Sequence, residues 1–195
     1  AQFGMAPVFG TSADLSLPQI SIFVAAFYIG AMVFQFPVGW LSDRMDRRVL
    51  IVVTSAIGFI AAVTAIFGEN IFIILLGSAF FIGGMSNPLY SLLIAYTNDF
   101  LEPDDMASAS GGLLFLNGLG AISGPLFTGY LMTEIGPIGF FVILAALLGV
   151  LMVYGFYRMT QRGISDVDTS SYATVLPTTS AVAVEIAQEL AIEAA

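Results

Sequence analysis

Two groups of polar residues interrupt a chain that is otherwise largely hydrocarbon. The first is the stretch Gly39-Trp40-Leu41-Ser42-Asp43-Arg44-Met45-Asp46-Arg47-Arg48, wedged between two long apolar runs. It carries three of the five basic residues, all of which are arginines. So short and so charged a link between two hydrophobic helices points to a membrane and fixes a topology. The second group consists of amides and phenols inside the apolar runs: Gln35, Asn87 and Asn117, with Tyr28, Tyr90 and Tyr96. Such groups hydrogen-bond helix to helix, at about 0.6 kcal/mol each on average in membranes, or they give a cavity a polar lining. Gln35, Asn87, Tyr90 and Asn117 are the candidates for the second role. Asn87 leads them because it precedes Pro88, whose ring withdraws an N–H from the carbonyl one turn earlier. Gly83 and Gly84 are expected to loosen the helix just before it, and loosened helices near mid-membrane often hold binding sites.

Other chemistry is excluded by what the chain lacks. It has no His and no Cys. That removes Ser–His and Cys–His nucleophiles, thiolate sites and the commonest metal ligand. Without lysine there is no phosphate loop of the GxxxxGK[ST] type. No carboxylate lies within an apolar run, so neither an intramembrane aspartyl site nor a proton-coupling carboxylate is encoded. Asp14, Glu69 and Glu134 read as solvated loop charges. No enzymatic activity, no cofactor and no metal are expected, and five arginines are too few for a nucleic-acid face.

The elements that must position these residues follow from composition. The chain is 58% hydrophobic and only 10% charged, with a mean hydropathy of +0.95, whereas soluble domains carry about 25% charged residues. Lipid must therefore be its solvent. Five segments are long enough to cross a hydrocarbon core of about 30 Å: residues 19–41, 49–67, 71–97, 107–132 and 138–157. Backbone groups in lipid need partners within their own segment, and period-2 alternation is missing, so the fold class is all-α, a polytopic transmembrane bundle.

Ser16-Leu17-Pro18 opens the first span. Gly68-Glu69-Asn70 is a minimal turn with Asn70 as the expected N-cap, and Gly136-Pro137 separates the last two spans. The fourth span is rich in glycine; Gly120 and Gly124 form a GxxxG pair beside Pro125, which predicts close helix packing and a helix able to flex. Residues 1–9 are apolar but too short to cross, and read as the end of a sixth span whose exit loop is 10–17. Ala1 and the absence of a charged n-region argue against a signal peptide and for a piece of a longer chain.

All five arginines fall on one side if the spans alternate: Arg44, Arg47 and Arg48 after the first full span, Arg158 and Arg162 after the fifth. The positive-inside rule places that side, with the linker 98–106 and the C-terminus, in the cytoplasm. The net charge of −9 resides mainly in loops and in the tail. A membrane domain over 1–160 is thus followed by a hydrophilic tail over 161–195, in which Gly163–Ser180 reads as disordered. Glu185, Glu189 and Glu193 would share one acidic helical face, solvated or docked on a partner, with plain disorder of this segment as the alternative.

Gly39-x-Leu41-Ser42-Asp43-Arg44-x-x-Arg47-Arg48 resembles the signature loop of the major facilitator superfamily, G-x-L-[AS]-D-[RK]-x-G-[RK]-[RK]. Asp46 stands where the family usually has Gly, and Asp tolerates positive φ better than most residues. Gln35-Phe36-Pro37-Val38-Gly39 resembles the second-half version of the loop. Gly120-Ala121-Ile122-Ser123-Gly124-Pro125 resembles helix eleven, and a weaker likeness points to the bacterial YcaD-like transporters. The resemblance implies the end of helix seven followed by helices eight to twelve. It also implies a missing N-terminal six-helix half as partner, a small solute as substrate, and transport by alternating access in a bacterial inner membrane. In that scheme Asp43 caps or pairs with neighbouring helix ends, and Arg47 or Arg48 reaches Asp99. With Gly39 and Arg44 they form a cytoplasmic gate. The competing reading is a non-transporting membrane scaffold or sensor whose acidic tail binds a partner.

Overall fold

The computed structural model describes residues 2–101 and 103–161. Among the described residues six helices follow one another: α1 (Gln2–Ser12), α2 (Leu17–Ser42), α3 (Arg47–Phe67), α4 (Phe72–Asn98), α5 (Pro103–Ile135) and α6 (Gly139–Gln161). Five of them, α2 to α6, are long and apolar enough to cross a membrane. Helices α2, α3 and α5 contain the predicted spans 19–41, 49–67 and 107–132, whereas α4 and α6 begin one residue after the predicted starts at 71 and 138; all but α3 run past the predicted ends, α3 ending at Phe67 as predicted. Arg162 and the tail glutamates lie outside the described residues.

Local chemistry sets most of the helix ends. Gln19 Oε1 accepts from both the Ser16 N–H (2.9 Å) and the Ser16 hydroxyl (2.8 Å), so the start of α2 is capped by its own third residue. Two expectations need correction. Residues 10–12 belong to α1 rather than to a loop, and the Thr11 hydroxyl donates back to Val8 O at 2.8 Å. Ile71, not Asn70, is the N-cap of α4: the turn closes through its own backbone, Ile71 N–H to Gly68 O at 2.9 Å, which moves the helix start on by one residue.

Packing is strongest between α2 and α4, between α3 and both α4 and α6, and weaker between α5 and α6. Helices α2 and α4 run parallel and nearly touch through their backbones. A Cβ on Gly30 would strike the Phe80 carbonyl, and one on Gly83 would strike the Phe27 carbonyl; Gly84 faces the Phe34 ring and the Gly30 carbonyl. Gly83 and Gly84 therefore do not loosen α4, which is helical throughout Phe72–Asn98. Their missing side chains admit α2. Helices α3 and α6 run antiparallel, with Gly58 against Leu148 and Gly155 against Val52, so Arg158 lies at the same end of the bundle as Arg44, Arg47 and Arg48.

The core divides along the bundle. Towards the end away from the arginines it is aromatic, with Phe9, Phe23, Phe27, Phe140 and Phe141 in mutual ring contact at 4.9–6.3 Å. Towards the arginine end it is aliphatic: Val38, Leu50, Ile51, Leu89, Leu92 and Leu148. Helix α5 stands apart. Near its end Gly139 brings α6 against the Leu131 and Met132 backbone, 2.8 Å from where a Cβ would sit. A Cβ on Gly111, Gly112, Gly118 or Gly120 would meet nothing within 4 Å. Among the described residues, no helix reaches the face of α5 that carries Gly120, so the predicted close packing is not seen there; Gly124 and Pro125 are half-buried on the same helix.

Candidate functional site

The arginine end of the bundle gathers the ends of three helices. Ser42 closes α2 and is fully buried, and the Asp43 N–H caps it by donating to the Gly39 carbonyl at 3.3 Å. Two further backbone bonds, from the Arg44 and Met45 N–H groups to Leu41 O at 3.1 and 3.0 Å, turn the chain around. Asp46 then starts α3. It has φ −57°, well outside the left-handed region, and its Oδ1 accepts from the Arg48 N–H at 2.8 Å. The side chain that replaces the family's Gly is thus an N-cap, and the turn needs no positive φ at this position.

From the first turn of α3, Arg47 folds inward beneath this turn. Its side chain is 0% exposed and pairs with Asp99, which caps the C-terminus of α4, at 2.5 Å from Nη1 to Oδ1. Nη1 also donates to Ala95 O at 3.2 Å, and Nε to Ser42 Oγ at 3.3 Å. A planar guanidinium presents its donors in a fixed fork, so this one residue ties α2, α3 and α4 together. Burying a charge is tolerated only when it is paired and hydrogen-bonded, and both conditions hold here.

Of the six residues predicted to form a gate, the structure brings Arg47 and Asp99 into contact. Asp43 is exposed on the turn. Arg44 points outward over the Trp40 ring, 4.1 Å from its centroid, and donates to Trp40 O. Arg48 lies 5.8 Å from the Tyr96 ring centroid. Gly39 is buried within α2. Sequence reasoning gave no separate role to Ser42 or to the Ala95 carbonyl. The small-residue position of the motif, Ser or Ala, was the available signal for Ser42.

The intramembrane polar residues fall farther into the bundle. Asn87 Nδ2 donates to Gln35 Oε1 at 3.4 Å, linking α4 to α2 about one turn beyond the glycine contact. Gln35 Nε2 is buried and has no acceptor among the described residues. On another side of α4, Tyr90 and Leu113 of α5 each pack against the buried Ile94. Asn117, half-buried, is one turn along α5 from Leu113. The two amides predicted as cavity candidates on α2 and α4 are therefore bonded to each other, while Tyr90 and Asn117 belong to the α4–α5 side.

The family model of the Major Facilitator Superfamily matches residues 1–183. This chain belongs to the major facilitator superfamily. It is 35% identical over 135 residues to the uncharacterized MFS-type transporter YfkF of Bacillus subtilis, covering 66% of this chain and 33% of that protein. To the uncharacterized MFS-type transporter YcaD of Escherichia fergusonii it is 22% identical over 179 residues, 85% of this chain and 43% of that one. The chain thus spans less than half the length of the curated relatives it matches. Among solved structures, the crystal structure of an auto-inhibited POT family peptide transporter superposes with a TM-score of 0.71 at 16% identity. That match covers 85% of this chain and 35% of the other, and it establishes the fold. The superfamily resemblance carried by the arginine loop and the weaker YcaD-like one are both upheld, and the protein is an integral membrane protein.

Proposed function

We propose that this chain is the C-terminal half of a secondary transporter that moves a small solute by alternating access, with α2 to α6 as helices eight to twelve. The arginine end faces the cytoplasm of a bacterial cell, as the positive-inside rule requires. The observation that carries this reading is the buried Arg47–Asp99 pair with its Ser42 and Ala95 contacts. It fastens three helix ends at one membrane face while leaving the opposite ends to an apolar aromatic core, which suits a latch that holds one gate closed and releases it when the bundles rock. The latch is assigned to Arg47 and Asp99, with Asp43 on its outer rim. The exposed apolar side chains of α2, among them Met32 and Phe36, supply surface for the partner half.

The test uses the full-length protein in proteoliposomes. Solute counterflow is measured across a panel of sugars, amino acids, peptides and uncharged amphiphiles, alongside labelling of a Tyr90→Cys reporter by a membrane-impermeant maleimide from the arginine side. Flux of at least one solute is expected. Asp99→Asn should raise reporter labelling from the arginine side and alter flux. Unchanged labelling and flux in that variant would remove the latch assignment, and an absence of flux for every solute would count against transport.

A further inference from the structure

On the far side of α4 from Tyr90, helices α3 and α4 enclose an open groove of about 480 Å³. Ile57, Ile60 and Thr64 of α3 line one wall, and Ile74, Gly77 and Phe81 of α4 the other. Phe81 and Tyr90 are nine residues apart, which at 3.6 residues per turn puts them on opposite sides of α4. The groove therefore faces away from the α4–α5 side, where Tyr90 and Leu113 pack against Ile94. Ala61 and Ser78 complete the lining; its two hydroxyls are that of Thr64, which donates to Ile60 O at 2.8 Å, and that of Ser78, a buried residue, so the walls are mainly hydrocarbon and carry no charged group. Gly77 supplies the hollow: a Cβ there would meet nothing within 4 Å. The groove begins about one turn from Gly68–Asn70 and runs about two turns along each helix, at membrane depth in the leaflet opposite the arginines.

We infer that this groove holds one acyl chain of a membrane phospholipid. An α-helix about 10 Å across can lie over such a furrow but cannot fill it, so a second copy is an outcome for the test to detect as protein–protein crosslinks. A single file of methylenes enters it and replaces the contacts that a void would forfeit. Seated there, the chain lies against both helices and bridges them beside the turn that joins them.

The experiment reconstitutes the full-length protein in phosphatidylethanolamine nanodiscs. These carry a trace of phosphatidylethanolamine with a diazirine in the middle of one acyl chain. After irradiation, labelled residues are located by mass spectrometry. Labelling is expected within residues 57–64 and 74–81. Gly77→Leu, which fills open space, should reduce it several-fold without changing labelling elsewhere, and Phe81→Ala, which widens the groove, should maintain or raise it. Should Gly77→Leu fail to insert, Phe81→Ala decides. No labelling of these segments, labelling indifferent to Gly77→Leu, loss of labelling in Phe81→Ala, or protein–protein crosslinks there in its place would each overturn the inference. Because labelling needs no solute movement, it stands or falls separately from transport.

Discussion

The seam between α2 and α4 and the long helix α5 are built from the same residue type and behave oppositely. Along the seam, Gly30, Gly83 and Gly84 bring two backbones into contact; the Gln35–Asn87 bond follows, and Arg47 closes the arginine end by joining Ser42 of α2 to Ala95 and Asp99 of α4. On α5, Gly111, Gly112, Gly118 and Gly120 face open space. A glycine confers close packing only where a second backbone arrives to use the room. The seam is thus a single mechanical unit, whereas α5 is held within this chain mainly near its Leu131–Met132 end.

The sharpest way to break this contrast is at the charged end of the seam. Arg47→Ala strands a mostly buried carboxylate and should cost about 3–5 kcal/mol, read as a lower unfolding midpoint of the full-length protein in detergent. The Arg47→Met, Asp99→Leu double variant should recover most of that loss; no recovery would mean that the partners of Arg47 other than Asp99 dominate.

Gly30→Ala comes next. Its methyl would overlap the Phe80 carbonyl, and overpacking of this kind costs about 1–3 kcal/mol. A variant that melts like the parent would show that α2 and α4 can separate freely. Gln35→Leu and Asn87→Leu each remove one interhelical bond and should cost about 0.6 kcal/mol, a shift measurable only against replicate melts. A much larger effect of either on solute affinity than on melting would mark the pair as a contact for the solute.

The smallest effect belongs to α5. Gly120→Ala adds a methyl to open space and should be neutral, or stabilising by up to about 1 kcal/mol through helix propensity. A loss matching that of Gly30→Ala would show that the full-length protein covers this face tightly, and would erase the contrast.

The helices were legible because lipid leaves the backbone so few options. Apolar runs of about twenty residues broken by Pro18, Gly68 and Gly136-Pro137 admit hardly any other assignment. The reach of an arginine to Asp99 was also legible, since a charged link beside an acidic helix end has few partners available. Pair geometry was not. The GxxxG spacing of Gly120 and Gly124 is the same whether or not a helix lies opposite. Gly30 carries no such spacing signal with Gly83 and Gly84, because their meeting is set by the crossing of α2 and α4. Asp46 was read as a residue tolerant of positive φ, yet its side chain caps α3, a role that depends on where the Arg48 N–H points.

The attachment of α5 near Gly139 has a consequence best put as leverage. From Leu131 back to Ser108 the helix extends about 35 Å at 1.5 Å per residue. A tilt of about 10° at that pivot would carry the far end some 6 Å sideways, by the same rise per residue. Leu113 and Asn117 ride on the outer part of this arm, about 27 and 21 Å from the pivot, so a small rotation at one membrane face becomes a displacement of some 4–5 Å at their positions.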